Sequence, residues 1–136
     1  MIHVQTLHRA LRLPRERVRR LVRAVARGEG VEVQEVSIVL LGDGRMKRLH
    51  ARHLNHPWTT DVLSFIYERK QGIEGEIVVN LDQARRQAPS FGATFGLEAS
   101  RLVVHGMLHL VGYDDRTSAE RRRMHTLEDL YLDRVK

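Results

Sequence analysis

The chain has 136 residues, enough for one domain whose core needs no cross-link. Its 42% hydrophobic and 29% charged residues exclude wholesale disorder, and the absence of cysteine excludes a disulfide scaffold, a zinc ribbon, an iron–sulfur cluster and a thiol nucleophile. The 23 basic residues outnumber the 17 acidic ones for a net charge of +6, and no apolar run approaches the ~18 residues that span a bilayer.

Met1 to Leu13 has no secretory apolar core and carries His3, His8, Arg9 and Arg12, so the expected location is the cytoplasm, away from membranes. The positive charge concentrates just beyond. Arg9, Arg12, Arg15, Arg17, Arg19, Arg20, Arg23 and Arg27 are opposed only by Glu16. Arginine grips phosphate with a planar, bidentate fork, so Arg19, Arg20 and Arg23 are candidate RNA contacts. The alternative is a solvated helix face.

Pro14 to Arg27 predicts an amphipathic helix, with Val18, Leu21, Val22 and Val25 on one face. Gly28 and Gly30 are expected to stop it. Val31 to Leu41 predicts a strand, because Val36, Ile38 and Leu40 alternate. Gly42-Asp43-Gly44 reads as a turn. Arg45 to Leu54 then reads as a short helix that carries Met46, Leu49 and His53 inward.

Thr60 to Tyr67 and Gly75 to Asn80 predict two strands joined through Gly72 in a hairpin-like connection. Leu81 to Ala88 starts a helix that Pro89 and Gly92 end. Leu97 to Val111 is a mostly apolar, buried helix, which Gly112 terminates in a left-handed conformation. Thr117 or Ser118 caps a last helix, with Met124, Leu127 and Leu130 or Tyr131 facing in. The tally places the chain in the α+β class, as one domain over residues 1–136.

The chemistry concentrates in His105-Gly-Met-Leu-His109-Leu-Val-Gly112-Tyr-Asp114-Asp115. Histidines four apart on a helix share a face, so two imidazoles can hold one ion, as in zincin-like helices. Gly112 breaks the helix, and the acidic pair Asp114-Asp115 follows where a third ligand could reach the same ion. Three protein ligands with an open fourth position describe a catalytic zinc site, whose water becomes a nucleophile near neutral pH. Simple packing of a histidine pair is the alternative. Gly106 implies close approach of another element to the helix, since glycine costs a helix ~1 kcal/mol relative to alanine. Gly106 also stands where a zincin peptidase needs glutamate, which argues against peptide hydrolysis. Asp114 is expected either to orient an imidazole or to cap the next helix, and His125 is a rival third ligand. Thr60, Asp61 and Ser64 are candidates to line the cleft. Trp58 is read as a stacking platform or as core or rim, and Arg121 to Arg123 as a solvated helix face or an extension of the basic surface.

The run HGMLHLVGYD from His105 to Asp114 resembles the signature HGxLHLxGYDH of the YbeY family, bacterial single-strand-specific endoribonucleases and rRNA maturation factors. Thr60 to Phe65 (TDVLSF) and Gly75 to Val79 (GEIVV, with Glu76 for Asp) resemble two further motifs, and the last helix with Met124 and Glu128 follows the pattern. The likeness spans residues 31–131. It implies a compact domain with a small mixed sheet packed with helices and a zincin-like metal-binding helix. It also implies one zinc ion per chain and endonucleolytic work on single-stranded ribosomal RNA, at the 3′ end of the small-subunit rRNA and in ribosome quality control. The implied partners are ribosomal RNA and the small ribosomal subunit. Two departures stand out. The family's third zinc histidine falls at Asp115, and an aspartate oxygen ligates zinc or another divalent metal. A family arginine falls at Leu54, for which Arg52, His53 or His56 is a candidate substitute. Both departures also suit a non-catalytic ribosome-assembly or RNA-binding factor with a structural or vestigial metal site. The candidate site is therefore His105, His109 and Asp115, with Asp114 beside them and Arg52, His56, Arg19, Arg20 and Arg23 for RNA.

Overall fold

The computed structural model describes residues 1–54 and 60–136, with the side chains of residues 50 and 52–54 outside the description. The elements follow as β1 (Ile2–Thr6), α1 (Arg15–Glu29), β2 (Val33–Leu41), α2 (Asp43–Leu54), β3 (Val62–Glu68), β4 (Ile73–Asn80), α3 (Leu81–Gln87), α4 (Phe95–Val111) and α5 (Ser118–Arg134). A 3-10 turn, Ala88–Phe91, links α3 to α4.

The four strands form one mixed sheet in the order β1-β2-β4-β3. β1, β2 and β4 are parallel, and β3 returns antiparallel beside β4. Val36, Ile38, Leu40, Ile77 and Val79 turn to one face and meet Leu21, Val22 and Val25 of α1 and Leu102, Val103 and Met107 of α4 in the main core. The opposite face carries Val39, Leu41, Val78, Leu63 and Phe65, which α2 covers with Met46 and Leu49. β4 is therefore buried on both faces over Ile77, Val78 and Val79, the apolar run of its sequence, while Glu74 and Glu76 near its start are only partly covered. α4 lies against β3 and β4, α1 lies beside α4 and against β1, and α5 packs across both helices. Among the described residues no helix is long and apolar enough to cross a membrane.

Two local expectations are corrected, and one alternative is resolved. Gly28 does not stop α1 but lies inside it, where the ring of Tyr131 occupies the space a Cβ would need. Gly30, at φ +69°, is the actual stop. Gly42-Asp43-Gly44 is the first turn of α2 rather than a turn between elements, because Asp82 accepts the Asp43 backbone N–H at 2.9 Å and so caps the helix from α3. On α5, Tyr131 faces the core and Leu130 faces solvent. β1, which no periodicity in the sequence predicts, alternates half-buried and exposed residues along the sheet edge. His53 and Leu54 have side chains outside the described residues.

Candidate metal centre

α4 is held against the sheet by the absence of a side chain at Gly106. A Cβ there would lie 2.5 Å from Ile77 Cγ2 and 3.1 Å from Ser64 Oγ. The close approach anticipated from the glycine is thus made by β3 and β4. Ser64 seals it by donating to the Gly106 carbonyl at 2.9 Å. Phe65 points to the other face, as the pleat requires.

This docking turns the neighbouring face of α4, with His105 and His109, toward the start of α5. Gly112, at φ +127°, ends the helix with its N–H on the Leu108 and His109 carbonyls. The chain then doubles back. Thr117 and Glu120 form a capping box at the start of α5, and Arg121 donates to the Asp115 and Arg116 carbonyls at 3.3 and 3.2 Å. The short connection is fixed at both ends, and it places Asp115 over the two imidazoles.

The Nε2 atoms of His105 and His109 are 3.0 Å apart, and Asp115 Oδ2 is 3.4 Å from each. A tetrahedral ion with ligands at about 2.0–2.2 Å separates them by roughly 3.3–3.6 Å, a range that both nitrogen–oxygen edges meet and that the nitrogen–nitrogen edge would reach by a slight spreading of the rings. The other ring nitrogens point the same way. His109 Nδ1 is 2.9 Å from the Tyr113 carbonyl oxygen, which can only accept, so Nδ1 carries the proton. His105 Nδ1 is 2.7 Å from Glu128 Oε2, an acceptor once ionised. With both Nδ1 positions so held, the two Nε2 atoms face one another, an arrangement that one shared cation, a proton or a metal ion, satisfies. Burial lowers the His105 pKa, but the Glu128 hydrogen bond and the charges of Glu128, Asp115 and Asp61 outweigh it, so the net direction is up.

Glu128 itself is 1% exposed and belongs to a polar network under the site. Its Oε1 accepts from Arg101 Nη1 at 3.1 Å. Arg101 Nε and Nη2 donate to Glu98 at 2.8 and 2.6 Å. Gln87 bridges Glu98 and Asp61 with its amide nitrogen, at 2.6 and 3.2 Å. Glu98, Arg101, Gln87 and the Tyr113 carbonyl are the members that sequence reasoning missed. Glu128 was noted only as part of a family pattern. Its signal was its place four residues after Met124, on the inward face of α5, where an acid requires a partner.

His105, His109 and Asp115 come together. Asp114 turns away to Arg116, at 3.7 Å, and the imidazole N–H groups it was expected to accept go to Glu128 and Tyr113. His125 is an exposed neighbour of Glu128, at 3.3 Å, and is not in the triad. Of the cleft candidates, Asp61 is engaged by Gln87, while Ser64 is committed to α4. Arg123 lies over the Tyr113 ring, at 5.7 Å, rather than being wholly solvated. Arg19, Arg20 and Arg23 lie on α1, the helix packed against β1, at the opposite sheet edge from β3. Arg52 has its side chain, and His56 and Trp58 lie entirely, outside the described residues.

The chain matches the family model described as Endoribonuclease YbeY over residues 4–136. Among curated relatives, an Endoribonuclease YbeY of Chloroherpeton thalassium is 35% identical over 120 residues, 88% of this chain and 85% of the relative. One of Salinibacter ruber is 39% identical over 127 residues, 87% and 81% of the two chains. A solution structure of a Thermotoga maritima protein superposes with a TM-score of 0.71 at 28% identity, covering 99% of this chain and 89% of the other.

Proposed function

The chain belongs to the Endoribonuclease YbeY family, and from that premise we propose that it is a zinc-dependent endoribonuclease that cleaves single-stranded RNA. The observation that carries the reading is the convergence of two imidazole Nε2 atoms and one carboxylate oxygen, each imidazole backed by an acceptor on its far nitrogen. His105, His109 and Asp115 would hold one ion per chain. When bound, the ion supplies Lewis acidity and an activated water at neutral pH. Glu128 and the Tyr113 carbonyl fix the tautomers that leave Nε2 free to ligate. Asp115 stands in for an imidazole and brings a negative charge, so other divalent metals also suit the site. A glutamate general base next to His105 is absent, since Gly106 occupies that place against the sheet. That favours a phosphodiester over a peptide.

The proposed substrate is ribosomal RNA, with the 3′ end of the small-subunit rRNA and ribosome quality control as its setting. The proposed partner is the small ribosomal subunit, in the cytoplasm. The test uses untagged protein, assayed for bound metal by elemental analysis and for cleavage of unstructured RNA. About one zinc per chain, and cleavage that chelation abolishes and zinc restores, is the expected result. His109→Ala should lose both. Unchanged cleavage in His109→Ala would overturn the reading. RNA binding that survives chelation with no turnover would replace it with the non-catalytic assembly factor.

A further inference from the structure

Few phenyl and phenol rings are exposed among the described residues: Tyr67, 65% exposed, and Phe91, 54% exposed. Tyr67 sits within the field of Glu76, which helps to raise its phenol pKa after burial, and such a neighbour repels a phosphate chain. Phe91 is placed differently. It ends the 3-10 turn Ala88–Phe91, and Gly92, at φ +61°, closes that turn so that the ring projects from it. The surface around it is open, since a Cβ at Gly92 or Gly96 would meet nothing within 4 Å.

The Arg101 guanidinium covers the ring, with Cζ 4.7 Å from its centroid. Arg101 is not free to collect phosphates. Three of its nitrogens are bound to Glu98 and Glu128, both 1% exposed. The guanidinium is thus a fixed plane that holds the ring in orientation. The same Glu128 holds His105, and Arg101 lies one turn from His105 on α4, about 6 Å along the axis. A strand stacked at about 3.4 Å per nucleotide crosses that distance in a few nucleotides.

We propose that Phe91, backed by Arg101, is a stacking platform for one unpaired nucleobase of the RNA strand that crosses the metal centre. The inference rests on the nuclease reading above and names a substrate subsite for it. A phenyl ring offers a π-face and no hydrogen-bonding group, so the platform accepts any base but requires that the base be unpaired. This is a physical source of preference for single strands over duplex, in which both faces of each base are already stacked.

The test compares wild type, Phe91→Ala, Phe91→Trp and Leu130→Ala in steady-state cleavage of an unstructured RNA, with 2-aminopurine placed at successive positions. Leu130 is an exposed apolar residue on α5 and serves as the control. Phe91→Ala should raise KM about 5- to 150-fold, the worth of one stacked base, with a smaller change in kcat. Phe91→Trp should restore binding, and Leu130→Ala should match wild type. Wild type and Phe91→Trp should quench one 2-aminopurine position that Phe91→Ala leaves bright. A KM in Phe91→Ala within twofold of wild type, or a Phe91→Trp variant as weak as Phe91→Ala, overturns the platform and leaves the nuclease reading standing. A wild-type protein that neither binds nor cleaves the RNA overturns both.

Discussion

Glu128 holds His105 with one carboxylate oxygen and Arg101 with the other, in a place where water does not reach. Glu128→Gln keeps an acceptor but adds an amide N–H2, which must face either an imidazole N–H or a guanidinium. Groups that back a metal-ligating histidine are typically worth 10- to 100-fold in metal affinity. A loss of that size is expected when the variant and wild type compete for zinc with a chromophoric chelator. Equal affinities would show that Glu128 serves only Arg101. The histidine pair was legible because its spacing encodes a shared helix face. The choice of Asp115 over Asp114 agreed with the fold because the turn after Gly112 presents the second acid to α4. The support beneath was not legible. Glu98 and Arg101 lie three apart in an apolar helix, but their partners come from 11 and 27 residues away.

At the scale of the element, α4 positions the site only because Gly106 lets it seat on β3 and β4. Gly106→Ala should raise helix propensity by ~1 kcal/mol and still destabilise the protein. Its methyl would meet Ile77 at 2.5 Å, on a central strand that cannot retreat, and overpacking of this kind costs about 1–3 kcal/mol. Urea denaturation should show a lower midpoint in the variant, and a rise would mean that the sheet yields. The sequence made this element plain because apolar periodicity, a central glycine and a terminating glycine all agree. It concealed others for physical reasons. β1 is a five-residue edge strand with polar residues on its open face, too short for its alternation to stand out. α2 opens on residues that favour a turn, and the cap that makes them helical comes from Asp82, 39 residues downstream. Gly28 looks like a stop, but its role is to admit the Tyr131 ring, whose hydroxyl donates to Glu29 at the end of α1.

Across the whole molecule, charge and chemistry occupy different flanks. The described residues around the ion site include Asp61, Glu98, Asp115 and Glu128, with Arg101 committed to two of them, Arg121 to the Asp115 and Arg116 carbonyls, Arg116 near Asp114 and Arg123 over the Tyr113 ring. The arginine excess lies instead on α1. There Arg20, Arg23 and Arg27 join Arg134 and Lys136 along a cleft with no acidic side chain in its lining. Its rims carry Glu16, 3.9 Å from Arg23, and Asp133, 3.1 Å from Lys136. α1 packs at the β1 edge of the sheet and α4 at the β3 edge, so on the proposed reading an RNA that engages both must extend from one to the other. Each contact between a cation and a phosphate on single-stranded RNA contributes about −0.7 to the slope of log affinity against log salt. Replacing Arg20, Arg23 and Arg27 together by glutamine should therefore flatten that slope by up to about 2 for a long RNA. A short oligonucleotide confined to the ion site should keep its slope. Equal flattening for both RNAs would place these arginines on the path of the reacting strand. No change for either would make α1 a solvated face and leave substrate capture to residues near the metal. The comparison needs both lengths because net charge alone predicts salt sensitivity, whereas the separation of the two flanks predicts that the sensitivity depends on how far the RNA extends.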